Sequence, residues 1–285
     1  MSDETRELRV AACQLATGEN FDDNLEQIER ALELAAADGA RLAVLPELID
    51  FMGDDPEALA HAVQRNSEVG SLIAARAQAL GLWVVGGSTH APAGDGQTSN
   101  TSRFYSPDGV EVGRYSKLHM FDVELDDGFS YRESEHTRAG DGLSTVEVDG
   151  HRVSTAICYD LRFPELFRIY GLGGTEILAL PAAFTAHTGA AHWEVLIRAR
   201  AIENQFFMIA AGQIGEYAPN GRSYGHSMVV DPWGRVLDVA PDRAVSIASA
   251  TLKLSMIEEL RGQLPATTNR RTDLYRLEWL GNAEA

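Results

Sequence analysis

The stretch STAICYDLRFPEL, residues 154–166, passes from an apolar, β-branched run into a charged segment marked by Pro164. The run reads as a buried strand and the charged segment as the approach to a helix, so Cys158 falls where the strand ends. It is one of two cysteines in 285 residues. A packed core thiol is the simplest reading of a cysteine, and it suits Cys13, which sits inside the run ELRVAACQLA (7–16). At the end of a strand the same residue is placed for chemistry.

Working outward, strand-like and helical runs alternate for most of the chain. The run 7–16 is followed by NFDDNLEQIERALELAAADG (20–39), with Asn20 or Asp22 as cap, helical apolar spacing from Leu25 to Ala35, and Gly39 as stop. ARLAVLPE (40–47) reads as a strand, 71–81 as a helix, and 82–88 as a strand. TSRFYS and VEVGRYS flank Pro107-Asp108-Gly109 as a hairpin, and LSTVEV joins HRVSTAI through Asp149-Gly150. Beyond Cys158 come helix 164–171, strand 175–181, helix 190–205, strand 206–212, a hairpin about Pro232-Trp233-Gly234, and a helix near 254–263. Continuous apolar strands between amphipathic helices predict an α/β protein, and βαβ units mixed with hairpins predict mixed sheets rather than a Rossmann or barrel order. No linker divides residues 1–263, which read as one domain. The tail 264–285, LPATTNRRTDLYRLEWLGNAEA, is apolar and aromatic enough to predict that it crosses onto a dimer partner.

Composition narrows the function. With 24 basic against 42 acidic side chains the net charge is −18, which disfavours nucleic acid and anionic membrane as partners. MSDETRELRV lacks the basic and apolar regions of a signal peptide, and no apolar run is long enough to span a bilayer, so a reduced cytoplasmic setting is expected. Asn100-Thr101-Ser102 matches the glycosylation sequon and reads there as a polar turn. Lysine occurs only at 117 and 253, leaving 22 of the 24 basic residues as arginine. A site that keeps lysine in such a chain asks for a compact ammonium rather than a guanidinium fork.

Three reactive side chains follow strands: Glu47, Lys117 and Cys158. Singly, Glu47 reads as a helix-start carboxylate and Lys117 as a solvated charge. Jointly they suit nucleophilic catalysis, because a neutral thiol needs a base, a carboxylate in a dry pocket can supply one, and an ammonium can stabilise an oxyanion. Tyr159 N–H, at the start of the following helix, is the natural second oxyanion donor. Arg162 can pair with a substrate carboxylate or, equally, with Glu165 or Asp160. Phe163 and Phe184 can wall a pocket. Trp193, Leu196, Ile197 and Ala201 follow helical spacing and read as core or dimer interface.

LAVLPEL (42–48), GRYSKLHMFD (113–122) and AICYDLRFPEL (156–166) resemble the three signature blocks of the nitrilase, or carbon–nitrogen hydrolase, superfamily, and the likeness continues through 181–205 and 224–234 to RRTDLY (270–275). The resemblance implies an α-β-β-α sandwich of two mixed sheets flanked by helices, paired as a homodimer. It implies a Glu47-Lys117-Cys158 triad that hydrolyses a non-peptide C–N bond through a thioester, without metal or organic cofactor. CYDLRFPEL and AHWEVLIRARAIENQ look closest to the branch of omega-amidase and deaminated-glutathione amidase, which implies ammonia release from a small 2-oxo-acid amide and gives Arg162 and His192 substrate-side roles. A second glutamate of that branch aligns with Glu133 in the acidic segment 121–141, with Glu124 as the rival. Other acyl substrates, nitriles and N-carbamoyl compounds included, remain open. So do a Cys–His hydrolase using His119, His192 or His226, a metal hydrolase despite the absence of H-x-x-x-H or C-x-x-C spacing, and a non-catalytic binding protein on the same fold.

Overall fold

The computed structural model describes residues 7–94, 96–124 and 130–282. The N-terminal segment 1–6, part of the signal-peptide reading, lies outside them, as do 125–129 of the 121–141 segment and the last three residues of the tail.

In chain order the strands are β1 (Glu7–Gln14), β2 (Leu42–Val44), β3 (Trp83–Val85), β4 (Thr89–Gly94), β5 (Gln97–Tyr105), β6 (Glu111–Ser116), β7 (Asp122–Glu124), β8 (Ser130–Arg132), β9 (Thr145–Val148) and β10 (His151–Thr155). They continue with β11 (Ile177–Ala182), β12 (Phe207–Gly212), β13 (Ile214–Tyr217), β14 (Gly221–Tyr224), β15 (Met228–Val230), β16 (Val236–Val239) and β17 (Ser246–Lys253). The helices are α1 (Phe21–Ala37), α2 (Pro56–Gln64), α3 (Asn66–Leu80), α4 (Pro164–Leu172), α5 (Ala186–Asn204) and α6 (Ser255–Gln263).

Two sheets form the body. The first runs β17-β1-β2-β3-β5-β4 with β6 on β5, and the second runs β16-β15-β12-β11-β10-β9. Their centres, β1-β2-β3 and β10-β11-β12, are parallel, and the outer strands pair antiparallel. Side-chain alternation explains why the central strands read as unbroken apolar runs. On β1, Val10 and Ala12 enter the core between the sheets while Ala11 and Cys13 face α1 and α3. On β11, Ile177 and Ala179 meet that same central core while Leu178 and Leu180 pack under α4 and α5. Both faces of each sheet are therefore covered, giving the expected α-β-β-α sandwich. Asp149 and Gly150 both adopt positive φ, as the predicted β9–β10 turn requires.

Several elements depart from the sequence reading. α2 begins at Asp55-Pro56, with the Asp55 carboxylate accepting from Glu57 N and Ala58 N, a start signal that the reading passed over. β17, SIASATLK, pairs along the whole of β1, its alternation of apolar and polar residues having gone unread. Helix α5 starts at Ala186 on a Thr185 cap, four residues before the predicted start at 190, so His192 lies well within it. Asn100 is not in a turn but inside β5, and buried. Two short hairpins, β7–β8 and β13–β14, stand apart from both sheets.

Candidate active site

The connections leaving β2, β10 and β11 meet at one end of the sandwich. After β2 the chain turns at Pro46-Glu47, with Leu48 at φ +55°; Leu48 N donates to Ser88 Oγ (3.0 Å), and Glu47 O accepts from Gln213 Nε2 (2.8 Å). Gly87, at φ +57°, brings its backbone against Pro46 so closely that a Cβ would collide with the Pro46 carbonyl. Glu47 is thereby fixed from both sheets: Oε2 accepts from Ala183 N, just past β11, at 2.8 Å, while Oε1 accepts from Lys117 Nζ at 3.0 Å and Asn100 Nδ2 at 2.8 Å.

Lys117 follows β6 and anchors through its own N–H to Asn100 O (2.9 Å). Its ammonium also donates to Glu133 Oε1 and Oε2 at 3.1 and 2.8 Å, and Glu133 Oε2 in turn accepts from Phe121 N at 2.7 Å. Glu124 lies exposed on β7, so the glutamate beside Lys117 is Glu133. Asn100 Nδ2 reaches both carboxylates, with Glu133 Oε1 at 3.3 Å. Burial by itself would lower the Lys117 pKa. The Glu47 and Glu133 carboxylates outweigh it and hold the ammonium well above the usual lysine range.

Cys158 opens a 3-10 turn over Cys158–Arg162 with φ +45°, a left-handed conformation that a non-glycine residue keeps only where the surroundings impose it. Asp160 imposes it. Its fully buried carboxylate accepts from Ile157 N (2.8 Å), Tyr115 OH (2.7 Å) and His119 N (3.1 Å). Burial and then the neighbouring Glu47 carboxylate push the Cys158 thiol well above its usual pKa, against the smaller opposing effect of Lys117. Both effects disfavour the thiolate, and Glu47 is the carboxylate beside it.

These side chains floor a cavity of about 530 Å³. Tyr159, Arg162 and Phe184 line it; Arg162 lies over the rings of Phe184 and Tyr159 at 5.1 and 5.7 Å. Phe163 and His192 are not among the lining residues. Phe163 stacks on His119 at 3.6 Å and meets the ring of Tyr159 edge-on at 5.5 Å, and His192 Nδ1 sits 3.3 Å from Arg162 Nη1, so each reaches the cavity only through a lining neighbour, Tyr159 or Arg162. The histidines proposed as alternative bases are engaged elsewhere: His119 Nδ1 with Asp160 at 2.7 Å, His226 Nδ1 with Tyr224 O at 2.8 Å. Among the described residues no three His, Cys, Asp or Glu side chains converge as a metal-binding group, and no helix is long and apolar enough to cross a membrane.

Sequence reasoning missed Asn100, Asp160, His90, Tyr131 and Tyr217. A buried Asn within a strand is a signal in principle, because its amide must find partners. The two tyrosines come from the off-sheet hairpins and line the cavity; Tyr131 is 51% exposed, whereas burial pushes up the half-buried Tyr217 phenol, with Cys158 and Glu47 adding to the effect.

Comparison with known proteins gives the arrangement its context. The sequence profile of the carbon-nitrogen hydrolase family matches residues 9–262. The deaminated glutathione amidase of Synechocystis sp. is 36% identical over 265 residues, covering 92% of this chain and 97% of that protein. Its human counterpart is 38% identical over 274 residues, covering 93% and 83%. The nitrilase and fragile histidine triad fusion protein NitFhit of Caenorhabditis elegans is 38% identical over 272 residues; they cover 94% of this chain but only 62% of the fusion protein's length. Its crystal structure superposes with a TM-score of 0.89 at 36% identity, covering 95% of this chain and 66% of that one. A carbon–nitrogen hydrolase from Helicobacter pylori superposes at 0.84 with 25% identity, covering 95% and 97%. With a profile match over most of its length and relatives of this identity, the chain belongs to the carbon–nitrogen hydrolase family.

Proposed function

We propose that the protein is a cysteine-dependent amidase that cleaves the amide of a small 2-oxo acid through a thioester on Cys158. The observation that carries this reading is the buried cluster in which Glu47 contacts both Lys117 and the Cys158 thiol at the floor of a cavity that also holds Arg162. The relatives named deaminated glutathione amidase support the substrate class.

The steps follow from the charges. Lys117 is positive and Glu47 and Glu133 are negative, so a pre-formed thiolate would add a second net negative charge to a buried cluster. Proton transfer to Glu47 therefore accompanies attack of Sγ on the amide carbon. The carbonyl oxygen becomes an oxyanion held by Lys117 Nζ and Tyr159 N–H. Glu47 then protonates the amine nitrogen as the C–N bond breaks, leaving the acyl thioester. Water, giving its proton to Glu47, attacks that thioester; the thiolate leaves and is reprotonated by Glu47, and the free acid departs. Glu133 and Asn100 hold Lys117 and Glu47 in register, and Arg162 pairs with the substrate's carboxylate. Ammonia leaves if the substrate is 2-oxoglutaramate. Deaminated glutathione, whose scissile nitrogen belongs to a cysteinylglycine unit, releases that dipeptide instead, and both give 2-oxoglutarate.

The further features of this reading are a body over residues 1–263, a tail over 264–285, a homodimer, a cytoplasmic setting and no metal or organic cofactor. Exposed Val195, Ile202 and Trp233 on the body and Leu274, Tyr275 and Leu280 on the tail support pairing with a second copy, and two free cysteines suit a reducing compartment. The experiment is 2-oxoglutarate release from deaminated glutathione and from 2-oxoglutaramate, with ammonia release from acetamide, an N-carbamoyl amino acid and a nitrile measured alongside, for wild type and Cys158→Ala. Cysteine-dependent release from either oxo acid is expected, with a 2-oxoglutaryl adduct on Cys158 by mass spectrometry. Undiminished turnover by Cys158→Ala would end the mechanism; turnover confined to the other compounds would end the substrate reading.

A further inference from the structure

The cavity has two unlike walls. On the side of the second sheet stand Tyr159, Arg162 and Phe184, from the turn after β10 and the connection between β11 and α5. On the side of the first sheet stand Phe51, Met52 and Leu59, from the segment after Glu47 and from α2, with His90 from β4. Glu47 and Cys158 occupy the seam, since Glu47 comes from the first sheet and bonds Ala183 N of the second.

Charge is distributed in the same way. Lys117, His90 and Arg162 are the basic side chains among the described lining residues. Lys117 is committed to Glu47 and Glu133. That leaves Arg162 on one wall and His90 on the other. His90 is not a casual surface histidine: its N–H donates to Asp50 Oδ2 (2.8 Å), its Nδ1 lies 3.1 Å from Asp50 Oδ1, and its ring meets the edge of Phe51 at 6.2 Å. Asp50 is fully buried. With Nδ1 paired to Asp50, Nε2 is the ring's other nitrogen, an acceptor while the ring is neutral and a donor in the imidazolium that the Asp50 carboxylate favours. Burial alone would lower the His90 pKa, but the Asp50 carboxylate, aided by Glu133 and Glu47, raises it. Size points the same way. A cavity of about 530 Å³ lies in the range that encloses drug-sized ligands, whereas 2-oxoglutaramate has only about ten heavy atoms.

Resting on the amidase reading above, we propose that His90, oriented by Asp50, anchors a carboxylate on the leaving-amine half of the substrate, so that the cavity is built for a dianionic amide with one carboxylate at Arg162 and the other at His90. Phe51, Met52 and Leu59 then receive the side chain between the scissile nitrogen and that second carboxylate. The substrate class is an acylated amino acid or dipeptide with a free C-terminal carboxylate, and an ammonia-releasing amide fills only the Arg162 half.

The test compares deaminated glutathione with the same compound capped as the N-methylamide at its glycine carboxylate, reading 2-oxoglutarate release by wild type, His90→Gln and His90→Lys. A charge-assisted hydrogen bond predicts that wild type prefers the free carboxylate by roughly ten- to a hundredfold in kcat/KM, mostly through KM. His90→Gln is expected to bring that ratio close to one, and His90→Lys to restore part of it. A wild-type ratio near one overturns the proposal whether or not either variant folds, and so does a ratio that survives in a folded His90→Gln. Release from both compounds without discrimination leaves the amidase reading standing and removes only this anchor. Turnover of acetamide with silence toward both oxo acids removes the two readings together.

Discussion

Cys13 and Cys158 are both buried free thiols, and both are less acidic than a cysteine in water. Burial pushes Cys13 up to about 12, and burial followed by Glu47 pushes Cys158 well up too. What separates them is company. Cys13 sits in regular β1 facing α1, its Sγ 4.0 Å from Ala31 O. Cys158 sits at positive φ beside a carboxylate and an ammonium, at the floor of a cavity. The difference teaches that a lowered pKa is not what marks out Cys158. It is the one with a base in reach and room for a substrate.

The largest effect should come from removing each thiol in turn. Cys158→Ala is expected to lower kcat on the order of 10⁴-fold or more, as loss of a nucleophile from an interdependent catalytic set does. Cys13→Ala should leave kcat within about twofold and cost roughly 1 kcal/mol of stability from lost packing. Assays of 2-oxoglutarate release and urea unfolding on both variants check the pair, and a large kcat loss in Cys13→Ala would break the comparison. Next in size is the base. Glu47→Gln keeps the shape and the Lys117 contact but cannot accept the thiol proton, so kcat should fall about 10²- to 10⁴-fold. Lys117→Ala removes an oxyanion donor and should lower kcat about 10²- to 10³-fold; a Cys–His mechanism would retain much of its rate, so near-normal turnover would reopen it. Single-turnover mass spectrometry adds a distinction, because a Glu47→Gln enzyme that builds the thioester at the wild-type rate would place the base elsewhere.

How much of this the sequence could carry depends on whether a feature is written locally. Glu47 and Cys158 were legible because each terminates an apolar run, and in a sandwich whose central strands are covered on both faces such runs are unbroken. Lys117 was legible because lysine is so scarce. Asn100 was not: the carboxylates it serves lie 53 and 33 positions away, and only the fold brings them together. Within its own neighbourhood, NTSRFY offers a sequon and several polar residues, which favoured a turn. Asp160 sits inside the signature stretch, yet its task of holding the Cys158 turn through Ile157, Tyr115 and His119 needs three segments at once. The hairpins bearing Tyr131 and Tyr217 were invisible for a related reason, since their strands belong to neither large sheet and show no long apolar alternation.

The effect smallest near neutral pH concerns Cys13; it emerges only in alkali, and its sign follows from linkage. A cysteine in the unfolded chain loses its proton near 8.5, whereas in the folded protein Cys13 keeps it to about 12. Below about 8.5 both states are protonated and the thiol's contribution is fully present. Between the two values the unfolded chain binds fewer protons than the folded one, so stability falls with rising pH by up to about 1.4 kcal/mol per unit. Cys158 and Tyr115, also raised well above their usual values, steepen the same decline. Cys13→Ala removes one proton from that difference and leaves the others. Urea unfolding at successive pH values should therefore show the variant less stable than wild type near pH 8 but declining less steeply, so that the two curves approach and cross in the alkaline range. Parallel curves would mean that Cys13 titrates alike in both states, and the contrast with Cys158 would then have to rest on geometry alone.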